Sequence, residues 1–344
     1  MLVIRRYLVI LPFALNSLNT SFSHPLISPE GALKRYPTPF FYKEAVPDIL
    51  EGRDDRLIIV VGPCSIHDSN LALEYAIRLK ALSLEVSESV LIVMRTFLEK
   101  PRSSIGWKGF LYNSPFEDSL LLGRALLSEI VSMDLLIATE FLQPLVIPYI
   151  ADLIAIGFIG ARTSSSQTHR EMASSLPCPV GFKNNLDGNI SVAVQGALSA
   201  GVSHSFMTIN GSGMASEVRS LGNPHSFIVL RGSTSRPNYY RSDCLEALSL
   251  LRKEGLPPNL FIDCSHGNSG KDYLKQKEVF TSCLALRKHL PIRGLMLESH
   301  LESGNKSSIT DSCLGWEETK ELIYLAAKCC LQSSQSKAFE PSIQ

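Results

Sequence analysis

From residue 57 onward the chain alternates between two patterns. Short apolar runs, many of them β-branched, are separated by longer stretches whose apolar positions recur with helical spacing. The runs lie at 57–62, 90–96, 135–141, 157–162, 179–184, 226–231, 259–264 and 293–298, and each predicts a strand. The first, LIIVV at 57–61, is apolar at every position, as expected of a strand buried on both faces. Helical patterns occupy 70–83, 118–132, 190–200, 242–254 and 275–288. Strands alternating with helices predict βαβ units and a parallel sheet. Eight such units in roughly 270 residues fit a closed barrel, so the expected fold class is α/β, a (β/α)8 TIM barrel.

Two regions depart from the alternation. Residues 203–210 and 214–219 flank Gly211-Ser212-Gly213, which predicts a β-hairpin inserted before the sixth barrel strand. Residues 16–50 mix Ser, Asn and Pro and predict short helical turns without a core of their own. The expected organisation is an extension over 1–50, a catalytic barrel over 51–332 and a fraying, Ser-, Gln- and Lys-rich tail over 333–344.

Composition adds exclusions. Lys plus Arg and Asp plus Glu each number 33 among 344 residues, so net charge gives no argument for nucleic acid or an anionic membrane as partner. The eight cysteines are scattered and form no CxxC pair, which suits reduced thiols in a cytosolic enzyme. Arg5-Arg6 ahead of the apolar stretch 7–15 has the outline of a signal peptide, too short to span a bilayer. Since the rest of the chain reads as cytosolic, a docking segment or an upstream start codon is the favoured explanation, and a cytoplasmic location is expected.

In a parallel barrel all strand C-termini share one face, where active sites lie. Those ends supply Cys64, Arg95, Glu140, Arg162, Lys183, Arg231, Asp263, His266 and Glu298, with Lys100, Arg102 and Ser103 in the loop after the second strand and Asp311 beyond the eighth. Six Lys or Arg on one face of a neutral protein would be costly to desolvate unpartnered, which points to a ligand with several anionic groups. Cys64, His266, Glu298 and Asp311 make a mixed soft and hard donor set suited to a first-row divalent metal, although Cys64 alone reads more readily as a buried thiol. His67 and His169 are either supporting groups or packing histidines. Trp107 is either a lid or packing. Cys264, two before His266 on one strand, is placed either near the metal or in the barrel filling.

With these residues laid out, the chain closely resembles the 3-deoxy-D-arabino-heptulosonate 7-phosphate (DAHP) synthases of the enterobacterial and fungal type. The matching stretches are GPCSIHD (62–68), EKPRSSIGWKG (99–109), ATEF (138–141), IGARTSSSQTHRE (159–171), CPVGFKN (178–184), IVLRG (228–232), SHGNS (265–269), ESHLESGN (298–305) and SITDSCLGW (308–316). They run in family order from about residue 50 to about 330. The resemblance implies condensation of phosphoenolpyruvate with erythrose 4-phosphate and water, the first step of the shikimate pathway. It implies one divalent metal ion (Mn, Fe, Co or Zn) on Cys64, His266, Glu298 and Asp311. Phosphoenolpyruvate would bind Arg95, Lys100, Arg162, Lys183, Arg231 and the Gly160-Ala161 backbone, with Glu140 beside it. Erythrose 4-phosphate would bind Lys100, Pro101, Arg102, Ser103 and Asp311, with Ser103 replacing the commoner Thr. Lys100, His266 and Glu140 would be the catalytic groups, Lys100 moving a proton to the new alkoxide. A homo-oligomer, dimer or tetramer, is implied as well.

Departures from the family pattern concern regulation. Gln143-Pro144, Pro177 and the hairpin differ from the phenylalanine-sensitive type, and the segment before the barrel is short, which argues against carrying feedback inhibition over. The sister enzyme that makes the octulosonate 8-phosphate carries Asn where this chain has Pro101. A non-catalytic barrel would have lost a ligand or a phosphate arginine, and all are present here.

Overall fold

The computed structural model describes residues 24–41, 44–113 and 115–338, with side chains as far as 332. The signal-like stretch at 7–15 lies outside the described residues. Among those described, no helix is long and apolar enough to cross a membrane.

The eight expected strands form one closed parallel barrel. They are β1 (Leu57–Gly62), β2 (Val90–Arg95), β3 (Leu136–Glu140), β4 (Ile156–Ile159), β5 (Val180–Lys183), β8 (Ser226–Leu230), β9 (Leu260–Asp263) and β10 (Ile292–Glu298). β6 (Ser205–Ile209) and β7 (Ala215–Arg219) form the antiparallel hairpin expected between the fifth and sixth barrel strands. β1 pairs with β2 on one side and β10 on the other, with Gly62 opposite Glu298, so the first and last staves close the ring. β4 stops at Ile159, and residues 160–162, expected as the strand end, form the turn that follows.

The barrel interior is packed by aromatic rings. Phe158 stands edge-on to Phe227, 6.2 Å between centroids, and Phe227 lies 4.2 Å from Phe261. Glycines on neighbouring strands leave room for them: a Cβ on Gly294 would fall 2.2 Å from the Phe261 ring, and one on Gly181 2.6 Å from Phe227. Large side chains facing small ones is how a barrel fills its layers without voids.

The helices match the expected periodicity where the apolar stripe is long: α3 (Ser69–Glu85), α4 (Phe116–Ser132), α6 (Ile190–Ala200), α7 (Arg241–Lys253) and α8 (Gln276–Arg287). The short α1 (Pro29–Arg35), α2 (Ala45–Leu50) and α5 (Gln167–Ala173) join them, and α9 (Trp316–Ala338) runs into the segment expected to be a tail. Before the barrel α2 builds no core of its own but contributes to the barrel's. Val46, Ile49 and Leu50 are buried in the same cluster as Ile58, Val60, Phe227 and Phe261, so α2 plugs the N-terminal end of the barrel. Its six residues are too few for a periodic signal, and only the barrel end supplies the surface that buries them.

Candidate active site

At the opposite end the strand tips converge. β1 breaks at Gly62-Pro63, and Cys64 follows with its side chain fully buried. β2 ends on Arg95, only 1% exposed. Its guanidinium donates to Glu298 Oε1 at 3.1 Å and to the Pro63 carbonyl at 3.3 Å, and it lies over the Phe97 ring at 4.0 Å. One terminal nitrogen, Nη1, is buried with no protein partner. Glu298 is held in place through its backbone by the buried Gln276 of α8, which accepts from its N–H at 2.8 Å and donates to its carbonyl at 3.1 Å.

β9 ends on Asp263, completely buried, and this carboxylate organises its neighbours. Lys183 Nζ, from the end of β5, lies 2.8 Å from Oδ2, and His266 Nδ1 lies 3.0 Å from the same oxygen. Ser265 donates its hydroxyl to Oδ1 at 2.6 Å. Burial opposes ionisation of Asp263, but Lys183 and His266 outweigh it and hold the carboxyl well below the ordinary range. Engaging Nδ1 turns Nε2 of His266 outward to 3.8 Å from Glu298 Oε1. A carboxylate behind an imidazole in this way orients the free nitrogen for a metal.

Cys64, Glu298 and Asp311 bring one donor atom each to within 4.8 Å of one another. Cys64 Sγ is 3.4 Å from Asp311 Oδ2. A thiol, two carboxylates and an adjacent imidazole, drawn from the loops after β1 and β9, the last residue of β10 and the loop beyond it, fit a first-row divalent ion. His266 joins the trio through Glu298 and is not itself one of the three mutually close donors. Lys100 stands over this cradle, its Nζ 2.6 Å from Cys64 Sγ and 3.7 Å from Asp311 Oδ2. Burial, with Glu298 adding to it, pushes the Cys64 thiol up to about 11. For Lys100, burial would lower the pKa, yet Cys64, Glu298 and Asp311 together raise it, so the amine is an ammonium at neutral pH.

The cavity above these groups has a volume of about 450 Å3 and is lined among others by Arg95, Lys100, Arg102, Arg162, Lys183 and Arg231. Its floor is buried and its mouth is open. Arg231 is 6% exposed and, among the described residues, makes no ion pair, and burial lowers its pKa. Arg162 at the mouth is exposed and donates to Ser103 Oγ at 3.0 Å, and Arg102 donates to the Trp107 carbonyl at 2.8 Å. Pro101, Gly160, Ala161 and Asp311 complete the walls. Glu140 Oε1 is buried without a partner, pressed so closely on Gly160 that a Cβ there would lie 2.1 Å from it.

The weaker candidates resolve individually. His169 bridges Ser166 Oγ and the Leu142 carbonyl, each at 2.9 Å. His67 lies 6.0 Å from the His300 ring, and Asp68 caps α3 by accepting from Leu71 N–H. Cys264 is not in the site: it packs in the outer layer beside Cys283 of α8. The strand alternation that linked it to His266 ends at Asp263, and His266 itself has φ 56°. Three features were not read from the sequence. The shared role of Asp263 needs two strands to be seen together. Phe97 reads as ordinary apolar filling. Lys271 reaches the cavity because Gly270 and Lys271 both take left-handed backbone, the turn closed by Lys271 N–H to the His266 carbonyl at 2.8 Å.

Comparison with known proteins bears on this arrangement. Residues 29–333 match the family model described as the DAHP synthetase I family. The Tyr-sensitive phospho-2-dehydro-3-deoxyheptonate aldolase of Salmonella typhimurium is 42% identical over 338 residues, covering 90% of this chain and 94% of the relative. The Phe-sensitive enzyme of Escherichia coli K12 is 42% identical over 328 residues, covering 87% and 92%. The solved phospho-2-dehydro-3-deoxyheptonate aldolase of Francisella tularensis superposes with a TM-score of 0.87 at 39% identity, covering 91% of this chain and 99% of that one. A barrel whose rim gathers these cations and donors, matched over most of its length, belongs to the DAHP synthetase I family.

Proposed function

We propose that this rim condenses phosphoenolpyruvate with D-erythrose 4-phosphate and water, giving 3-deoxy-D-arabino-heptulosonate 7-phosphate and inorganic phosphate, the entry step of aromatic amino acid biosynthesis. The observation that carries the substrate assignment is the imbalance of charge at the floor. Arg95 and Lys183 have carboxylate partners, but Arg231 has no ion pair among the described residues and Arg95 Nη1 has no partner. A small ligand carrying both a phosphate and a carboxylate supplies what those groups lack.

The roles divide by depth. Arg95, Lys183 and Arg231, with Arg162 and the Gly160-Ala161 backbone, hold phosphoenolpyruvate at the floor. Arg102 and Ser103, on the exposed loop, take the phosphate of the aldose, with Pro101, Lys100 and Asp311 along its length. Cys64, His266, Glu298 and Asp311 would hold the divalent ion. When bound, that ion supplies Lewis acidity at the aldehyde oxygen. The enol carbon of phosphoenolpyruvate forms a bond to the aldehyde carbon, water adds to the neighbouring carbon and phosphate departs. The arginines at the floor stabilise the charge that develops on phosphate and carboxylate. Lys100 is an ammonium placed between the two substrates and donates a proton to the new alkoxide. Glu140, beside Gly160 in the cavity wall, would lie next to phosphoenolpyruvate, as the resemblance implies.

The resemblance also suggests a dimer or tetramer, which light scattering on the purified chain tests. A cavity of about 510 Å3 lies beside the hairpin, lined by Pro144, Met172, Ser174, Phe206 and Val218 among others, where the resemblance places the effector pocket of regulated relatives.

The deciding experiment is an assay with phosphoenolpyruvate, erythrose 4-phosphate and Mn2+, with and without chelator. Product and phosphate release that stop on chelation are expected. No product, or preference for arabinose 5-phosphate, overturns the reading.

A further inference from the structure

The loop that carries Lys100, Pro101, Arg102 and Ser103 has little else to hold it. Its tip is open to solvent, with Ile105 fully exposed. At its base Glu99 forms an antiparallel bridge with Gly109, and Lys100 N–H donates to the Lys108 carbonyl at 2.8 Å. The base is tight. Gly109 has φ 117°, and a Cβ there would fall 2.3 Å from the Leu98 carbonyl oxygen and 2.7 Å from Glu99 Cα.

Adjacent residues in extended backbone point to opposite sides. Lys100 faces the cavity, so Glu99 points beneath the loop, where it is 3% exposed. Its carboxylate accepts from the N–H groups of Leu142 at 3.3 Å and Gln143 at 3.2 Å, and from the Tyr112 hydroxyl at 2.9 Å. Leu142 and Gln143 follow β3, whose last residue is Glu140. One side chain thus joins the aldose loop to the strand end that faces the other substrate. No cation among the described residues pairs with Glu99. Burial is the main cause pushing its carboxyl up to about 7, against the three hydrogen bonds, with Glu140 adding to the rise. An acid kept in so unfavourable a place is there for its acceptor oxygens, since three donors converge on it and a carboxylate is acceptor-only when ionised.

We propose that Glu99 is a positioning residue for the condensation: it holds Lys100 and the aldose-phosphate loop in register with the end of β3. It touches no substrate itself and acts through Lys100, Arg102 and Ser103. The proposal rests on the functional reading above.

The test compares Glu99→Ala and Glu99→Gln with the unaltered enzyme, in steady-state kinetics and in limited trypsin digestion. Glutamine keeps an acceptor oxygen for the backbone N–H groups. Glu99→Ala should lower kcat about 100-fold, as expected when a reacting group is displaced by about 1 Å. The KM for erythrose 4-phosphate should rise at least about tenfold, while the KM for phosphoenolpyruvate, held mainly by the floor arginines, changes by less than about threefold. Glu99→Gln should restore all three constants to within about threefold. Trypsin should cut Glu99→Ala after Arg102 and Lys108 at least about tenfold faster, with sites elsewhere unchanged, the sign of local rather than global opening. Wild-type constants in Glu99→Ala, equal damage in both variants, or accelerated cleavage throughout the chain would each overturn the proposal. If Glu99→Ala fails to fold, Tyr112→Phe removes one of the three bonds: a smaller shift in the same direction supports the assignment, and unchanged kinetics and cleavage overturn it. The digestion needs no turnover, so an enzyme inactive on these substrates would refute the functional reading while leaving the loop assignment still testable.

Discussion

The ammonium of Lys100 lies 2.6 Å from the sulfur of Cys64 and 3.7 Å from the carboxylate of Asp311. A cation from the second barrel loop therefore sits against two donors contributed by opposite ends of the chain. Lys100→Ala removes this group without touching the core, because the side chain faces the cavity. Turnover should fall by at least about 1,000-fold, the upper range for a lost proton donor, with the circular dichroism spectrum and melting temperature unchanged. Near-normal activity would remove Lys100 from the mechanism.

Cys64→Ser should weaken the divalent metal site. A hydroxyl has none of the softness of a thiolate, and the remaining donors are the carboxylates of Glu298 and Asp311 and the imidazole of His266. Equilibrium dialysis with Mn2+ should show affinity at least about 100-fold lower, more than the 10- to 100-fold typical of losing a supporting residue. In the unaltered protein, chelator should abolish activity and added Mn2+ restore it. A Cys64→Ser protein that retains wild-type metal affinity would move the site elsewhere.

Asp263→Asn leaves Lys183 buried without its carboxylate, at 4% exposure. Breaking a buried pair from one side costs about 3–5 kcal/mol, readable as a lower urea midpoint. The pH dependence has a definite sign. Because the Asp263 carboxyl is held below its ordinary value in the fold, its contribution is complete above the unfolded aspartate pKa of about 4 and is lost as pH falls further. Urea midpoints measured from pH 7 down to pH 3 should fall more steeply below about pH 4 in the unaltered protein than in Asp263→Asn.

Gly160→Ala would drive a methyl group to 2.1 Å from Glu140 Oε1, so the carboxylate has to move. Gly160 and Glu140 both line the cavity, where phosphoenolpyruvate is proposed to bind. The KM for phosphoenolpyruvate should rise about tenfold or more while the KM for erythrose 4-phosphate stays within about threefold. Equal effects on both substrates would place Gly160 outside the phosphoenolpyruvate subsite.

Ile49→Ala tests the far end of the barrel. Ile49 is fully buried, and truncating such a side chain costs about 2–5 kcal/mol. Denaturant unfolding should report that loss, while kcat and both KM values of the folded enzyme remain unchanged, because α2 caps the face opposite the site. Altered kinetics in the folded variant would show that the plug shapes the rim.

The barrel and much of its rim were legible in the chain because the barrel strands are apolar runs and five of the eight end on a polar residue. Arg95, Glu140, Lys183, Asp263 and Glu298 each occupy the last position of a strand. Where the backbone leaves the regular pattern, one-dimensional reading fails. His266 and Lys271 adopt left-handed conformations, so strand alternation could not decide between the two readings of Cys264 and gave Lys271 no direction. The burial of α2 was not read for a different reason: it comes from the barrel end it covers. The partnership of Asp263 with both Lys183 and His266 is a property of neighbouring strand tips and has no signature along the chain.

The hydrogen-bonded seam between β1 and β10 has a consequence for synthesis. Cys64 leaves the ribosome near the start of the barrel, but Glu298 lies at the end of the last stave and Asp311 beyond it. A nascent chain that has emerged only through β9 carries the thiol without either carboxylate neighbour. The proposed metal cradle therefore requires the long-range pairing of the first and last staves, which brings Glu298 beside Gly62. Products truncated before β10 lack both Glu298 and Asp311 and so cannot assemble the proposed cradle.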